Sequence, residues 1–303
     1  MTSTIFSFLA AASAAFANLF YRKNSQESEN NSNTNGYLIF FYLTAFLLSF
    51  VFYPTIFFED LNYFILGIGI CVGVLNIAMM IFTSRALKKG PAGLTFAFQN
   101  TSAVFPGMIL FLLFGTEYGF SCSYLQVIGI LLVVFGLFLG AKNEAGDRSA
   151  NLLKWLKYAF ACLVVQVLAL TLIQARYVIF DSTPIEASTS FSLASRDDVC
   201  FMIGQFGVAL LIQTVYFFSQ KSSFPKKSAL FGSLGGVANF ISTTLLLLAT
   251  KWALPYEKAL LFPCFAVGTI VICNIWANRL YGEKFNVASN ATCASGILIG
   301  LIP

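Results

Sequence analysis

The stretch Gly73–Ala92 reads GVLNIAMMIFTSRALKKGPA, and Gly236–Pro255 reads GVANFISTTLLLLATKWALP. The two start 163 residues apart and share Gly, Val, Asn, Ala and Lys at the same relative positions. The offset persists, pairing Ala103-Val104 with Ala266-Val267. Further on, Gly115-Thr116-Glu117 and Gly282-Glu283 each close an apolar run. Each is followed by a glycine-bearing apolar segment, IGILLVVFGLFLGA (128–141) and SGILIGLIP (295–303). The match thus covers three consecutive segments and their breakpoints, which marks an internal repeat.

Composition supplies the solvent for that repeat. Charged residues make up 10% of the 303 and hydrophobic residues 58%, whereas soluble domains carry roughly 25% charged residues. A bilayer-crossing helix needs about 20 apolar residues. Ten runs approach that length: 4–21, 37–58, 63–85, 92–115, 121–141, 153–178, 199–219, 228–250, 256–280 and 285–302. The first lacks the basic residues that open a cleaved signal peptide, since no Lys or Arg precedes Arg22, and reads as a span. Most separators are short and carry Pro, Gly or charge. The stretch 22–36, RKNSQESENNSNTNG, reads as a flexible solvated loop. The stretch 181–198 mixes polar residues with Ile185, Phe191 and Leu193 and is expected to pack partly on the protein.

The first copy of the repeat lies in run three and the second in run eight, five crossings apart. An odd number of crossings reverses direction, so the halves are inverted in the membrane. The expected fold is an all-α integral membrane protein of ten transmembrane helices in two inverted five-helix repeats. The first repeat is 1–142, a linker 143–152 follows, and the second repeat is 153–303. Inverted repeats are a signature of secondary transporters, whose halves enclose a midplane site and exchange inward and outward shapes. With Gly-Glu endings before glycine-rich last helices, the chain resembles the drug/metabolite transporter superfamily, and within it the EamA-like ten-helix branch. That resemblance implies transport of a small molecule and termini in the cytoplasm. Charge argues the other way for the termini. Fourteen of the 18 Lys/Arg follow runs one, three, five, seven and nine, leaving Arg176, Arg196, Lys251 and Lys258 for the other face. The positive-inside rule then places both termini outside.

Polar side chains inside spans mark candidate sites, because hydrocarbon penalises them unless they face protein or water. Asn76 and Asn239 occupy equivalent positions in the two halves and either line a shared cavity or bond helix to helix. Gln99 and Asn100 precede Pro106, which removes a backbone donor and loosens the turn before it; Pro263 is placed to weaken run nine in the same way. Gln166 and Gln174, and Gln205 and Gln213, lie eight apart and project from one side of their helices. Together with Tyr256 they suggest a cavity of neutral donors and acceptors. Lys88 and Lys251 end equivalent helices on opposite membrane faces, as snorkelling anchors or as gates.

No histidine occurs, and the seven cysteines lie in or beside apolar runs without a Cys-x-x-Cys pair. Neither a metal site, a catalytic residue nor a cofactor is expected. The paired acids Glu59-Asp60 and Asp197-Asp198 fall at span edges and argue against an intramembrane enzyme. The functional expectation is therefore an exchanger or facilitator of a small metabolite, amino-acid-like or zwitterionic. The alternatives are a carrier of a nucleotide-like cofactor such as S-adenosylmethionine, a drug exporter, or a scaffold or sensor without flux. The expected partners are the solute and the lipid bilayer, with no nucleic acid, in a monomer or homodimer of a bacterial inner (plasma) membrane.

Overall fold

The computed structural model describes residues 2–26, 31–54, 56, 61–90, 92–115, 123–144, 149–180, 195–220, 226–252, 255–282, 287–300 and 302. Among them there is no strand. The helices are α1 (Thr2–Gln26), α2 (Asn31–Val51), α3 (Tyr63–Leu87), α4 (Ala92–Thr101), α5 (Phe105–Phe114), α6 (Tyr124–Glu144), α7 (Ser149–Phe180), α8 (Arg196–Ser219), α9 (Lys226–Lys251), α10 (Pro255–Tyr281) and α11 (Val287–Gly300). Seven of these (α1, α2, α3, α7, α8, α9 and α10) are long and apolar enough to cross a bilayer. Large apolar side chains such as Tyr63, Leu112, Leu131, Leu153 and Leu211 point outward from the bundle. Water would not tolerate so much exposed apolar surface, and lipid does. The architecture is that of a multi-pass membrane protein.

Helix ends follow local chemistry. The Asn62 side chain accepts the Ile65 N–H (3.3 Å) and caps α3. Ser195 and Asp198 form a reciprocal capping box at the start of α8. The repeated Gly-Glu breakpoints share one geometry: Gly115 and Gly282 have φ of 71° and 62°. Their N–H groups bond back to the Phe111 and Asn278 carbonyls at 2.8 and 3.0 Å. Only glycine adopts that left-handed turn without strain. Between α4 and α5 the chain tightens into a 3-10 turn at Ser102–Val104, with Pro106 in the first turn of α5.

Packing is organised by two helix crossings. On α3, Gly69 and Gly73 press against the backbone carbonyls of Phe201 and Gln205 on α8. On α9, Gly232 and Gly236 press against the carbonyls of Tyr37 and Phe41 on α2. A methyl group at any of the four would overlap a carbonyl oxygen. Gly69 and Gly232 are themselves 163 residues apart, so the repeated phrase begins one turn earlier than its most visible part. In each copy, Gly, Gly and Asn fall at i, i+4 and i+7, along one face of the helix.

The neighbours repeat as well. Helix α1 packs on α9 and α10, while α7 packs on α3 and α4; α2 packs on α9, while α3 packs on α8. The pairs α2–α8, α4–α10 and α6–α11 complete the scheme. Exchanging the first five segments for the last five, with α4 and α5 taken as one, maps each of these pairs onto another of them, while the smaller α1–α2 and α1–α3 contacts have no counterpart of similar extent.

Several sequence expectations change. Residues 22–36 are not one solvated loop, because α1 continues to Gln26 and α2 begins at Asn31. Their polar groups find partners on neighbouring helices. Ser228 Oγ donates to Asn24 Oδ1 at 2.8 Å, and Gln213 Nε2 donates to the Asn35 carbonyl at 3.3 Å. Helices α6 and α7 likewise run into the stretch 143–152, to Glu144 and from Ser149. Pro263 does not interrupt α10, which is continuous through it. Around Pro263 the helix packs against α1 and α4. Ile185, Phe191, Leu193, Glu117 and Glu283 lie outside the described residues.

Substitution at the crossings is the corresponding test. Gly73→Val and Gly236→Val are each expected to destabilise the bundle by about 2 kcal/mol or more, the range of overpacked cores. Gly67→Ala, on the same helix as Gly73 but facing open space, should change stability by less than about 1 kcal/mol. Thermal unfolding of the purified protein in detergent distinguishes the two classes.

Candidate functional site

A cavity of about 110 Å3 lies between the two crossings. Its walls come from both halves of the chain: Ala14, Ala17, Asn18 and Tyr21 of α1, Phe41 of α2, Asn76, Met79 and Met80 of α3, and Gln99 of α4. Across from them stand Gln166, Leu170 and Ile173 of α7, Gln205 of α8, Asn239, Ser242, Thr243 and Leu246 of α9, and Phe265 of α10. Because Asn76 and Asn239 sit on the same helix faces as the crossing glycines, the crossings aim both amides inward. Gln205 and Phe41, whose carbonyls receive Gly73 and Gly236, also both line the cavity.

Five residues expected from the sequence, Asn76, Asn239, Gln99, Gln166 and Gln205, meet here. Gln174 and Gln213 do not. Gln213 is buried between α8 and α2, where Asn35 takes its donors. Gln174 is buried on α7 outside the cavity wall. The eight-residue spacing put each Gln pair on one side of its helix, but a turn beyond the cavity that side meets another helix. The side chains of Asn100 and Tyr256 lie outside the described residues. Lys88 and Lys251 stand at the C-terminal ends of α3 and α9 and do not reach the cavity. Partial desolvation lowers the Lys88 ammonium pKa from its usual value. Pro106 and Pro263 are also outside the wall.

The sequence reading missed Asn18, Tyr21, Ser242 and Thr243. The rule that selected Asn76, polarity inside an apolar span, would have selected Asn18 had it been applied to the first run. Tyr21 gives no such signal, since an aromatic near a span end usually anchors in the interface. Here its hydroxyl donates to the Met80 carbonyl at 2.9 Å.

Within the wall the groups differ in how far they are engaged. Gln99 is held at both ends: Thr83 donates to its Oε1 (3.4 Å) and its Nε2 donates to the Met79 sulfur (3.3 Å). Asn18 donates through Nδ2 to the Cys273 sulfur at 3.7 Å. The buried Oε1 atoms of Gln166 and Gln205 have no hydrogen-bond partner among the described residues. Among the described residues no Lys, Arg, Asp or Glu lines the cavity. Among the described residues no group of His, Cys, Asp and Glu is placed to hold a metal ion.

Charge gathers instead at the two ends of the bundle. At one end Arg22 stacks over Tyr281, Arg85 lies over Tyr158, and Ser228 bonds Asn24. At the other, Arg176 and Asp198 form a buried ion pair at 2.8 Å, with side chains 2% and 3% exposed. The Arg176 guanidinium also lies 4.8 Å from the centre of the Phe201 ring. Ser195 Oγ donates to the second Asp198 oxygen at 2.7 Å. Asn62 donates to the neighbouring Asp197 at 3.2 Å, tying α3 to the same corner. An acid expected at a span edge is therefore enclosed, because α7 delivers a guanidinium to it.

No protein-family model and no curated protein matches the sequence. A solved protein described only as "Crystal structure of protein" superposes with a TM-score of 0.61 over 99% of this chain and 98% of that chain, at 14% identity. The likeness is one of fold, over the whole length of both.

The buried ion pair yields a measurable expectation. Asp198→Asn leaves a guanidinium enclosed without its counter-ion and should cost about 3–5 kcal/mol, whereas Arg176→Met combined with Asp198→Leu should recover most of the loss. Denaturation of the single and double variants in detergent measures both.

Proposed function

We propose that this chain is a secondary transporter built from ten membrane crossings in two inverted five-helix repeats, in the manner of the EamA-like drug/metabolite transporters. The cargo is a small polar organic metabolite, carried by exchange or facilitated diffusion through alternating access. The observation that carries this reading is the pair Asn76 and Asn239. Two copies of one Gly-x-x-x-Gly-x-x-Asn element, separated by an odd number of crossings, turn their amides into one neutral cavity. The interchangeable packing scheme and the two matching glycine breakpoints support the repeat.

Alternating access follows from this arrangement. Exchanging the conformations of two inverted repeats closes one end of the cavity while opening the other, so each conformation is the mirror role of its opposite. Each crossing joins a helix of the first repeat to one of the second, α3 to α8 and α2 to α9, so the units held by direct backbone contact draw helices from both repeats, and the cavity lies between those units.

Two experiments test the reading. In proteoliposomes preloaded with a metabolite panel, wild-type protein should support counterflow, and Asn76→Leu and Asn239→Leu should each reduce its rate at least about tenfold, equivalent to about 1.4 kcal/mol, with unfolding temperature retained. Absence of wild-type counterflow across a broad panel would remove the transport reading. In a cysteine-free background, Lys88→Cys and Lys251→Cys should react with a membrane-impermeant maleimide from opposite sides of the membrane. Labelling of both from one side rules out the inverted repeat, and the side on which Lys88→Cys reacts gives the orientation of the termini.

A further inference from the structure

Building on the transport reading, we infer that Tyr21 is the closure of the cavity at the end marked by Arg22 and Arg85, and that this conformation is reached from the Arg176–Asp198 end. The packed pairs sort the helices into two units that the repeat exchanges. One holds α3, α4, α7 and α8, the other α1, α2, α9 and α10. The units meet through α2–α8 and α4–α10, and both line the cavity. The glycine crossings, the Arg176–Asp198 pair and the Ser228–Asn24 bond each lie inside one unit, whereas a closure has to join the two. Tyr21 does so. It is 1% exposed and is the last wall residue of α1 before Arg22. Its hydroxyl donates to the Met80 carbonyl on α3 at 2.9 Å, and the side chain of Ser84, one turn further along α3, bonds the same hydroxyl. Its ring is held 5.2 Å from that of Tyr37 on α2. Gln213 to Asn35, and Phe96 on Trp276 at 6.1 Å, also cross between the units at this end. Towards the other end, Thr244 of α9 reaches the Met202 sulfur of α8 at 3.6 Å, with a hydroxyl that also bonds the Phe240 carbonyl at 2.9 Å.

The repeat supplies the contrast. At the 163-residue offset, Met80 and Ser84 correspond to Thr243 and Leu247 on α9. The helix that would cover those positions is α7, the counterpart of α1. Yet α7 approaches neither α9 nor α8 to the extent that α1 approaches α3 and α2. What joins α7 to α8 is the reach of a guanidinium, Arg176 to Asp198 at 2.8 Å. Met80 is buried, while Thr243 stays partly exposed on the cavity wall. Inverted repeats exchange such differences when the open end changes. Opening the Arg22 end therefore breaks the Tyr21 contact on α3, and closing the opposite end brings α7 over Thr243.

The test is labelling of Ala14→Cys, on the cavity wall, by a membrane-impermeant maleimide added to one face or the other of proteoliposomes. The background is cysteine-free, and Lys88→Cys identifies the face at the Arg22 end. Ala14→Cys should react from the face opposite Lys88, and far more slowly from the Lys88 face. Adding Tyr21→Phe, which keeps the ring and removes the hydroxyl, should raise the rate from the Lys88 face about fivefold, the population shift expected on losing one net hydrogen bond. The rate from the opposite face should stay within about twofold, because the favoured state already dominates it. Ser84→Ala should act in the same direction, and it poses the question from α3 if Tyr21→Phe does not fold. Ser228→Ala removes a hydrogen bond at the same end but inside one unit, and should leave both rates unchanged. Equal or faster parent labelling from the Lys88 face, or none from either face, overturns the inference. So does an unchanged Lys88-face rate in both Tyr21→Phe and Ser84→Ala, or an equal rise in Ser228→Ala. Labelling needs no cargo, so these outcomes leave the transport reading standing; only absent counterflow removes that.

Discussion

Backbone contact between α3 and α8, and between α9 and α2, is the constraint on which the rest of this structure depends. In lipid the hydrophobic effect gives no reason for one apolar helix to prefer another, so association rests on close packing and on polar contacts. Gly69 and Gly73 let α3 touch the carbonyls of Phe201 and Gln205, and Gly232 and Gly236 let α9 touch those of Tyr37 and Phe41. Once those four backbones are fixed in pairs, the direction of every other side chain on their faces is fixed too. Asn76 and Asn239 lie less than a turn beyond the last crossing glycine and turn towards the space between the pairs.

Among the described residues that space is polar without being charged, and the reason lies in how the chain distributes its ionisable groups. Basic side chains at the ends of α1, α3 and α10 stay in the aqueous margin, where Arg22 and Arg85 lie on tyrosine rings. The enclosed Arg176 and Asp198 compensate one another at the opposite margin. The space between is left largely to carboxamides, which can be desolvated at modest cost and can both donate and accept.

The asymmetry between the two ends follows from the same distribution. One end is joined by the Ser228–Asn24 hydrogen bond and by guanidinium–tyrosine contacts, the other by an ion pair reinforced with a capping box and an aromatic ring. The two ends of the bundle are therefore joined by unequal sets of contacts, since side chains at the helix ends are not constrained by the crossings.

Apolar run length was enough to read helical class from sequence, the missing donor of Pro106 the break before it, and the 163-residue offset the paired asparagines, because each depends on local chemistry or on a repeated phrase. The helical character of Asn31–Gly36 was hidden, since a run of Asn and Ser reads as loop until a partner such as Gln213 is known. Gln166 and Gln205 could not be separated from Gln174 and Gln213 by spacing, because i and i+8 share a face and only the neighbouring helix decides which of them meets a void. Asp198 read as an edge acid until α7 brought Arg176 against it. The sequence by itself determined what each helix is and which positions correspond between the halves, because those are properties of one segment or of two compared letter by letter. Which polar groups face the cavity, which face a partner and which charges cancel was decided only by tertiary packing, since each depends on the distance between segments far apart in the chain.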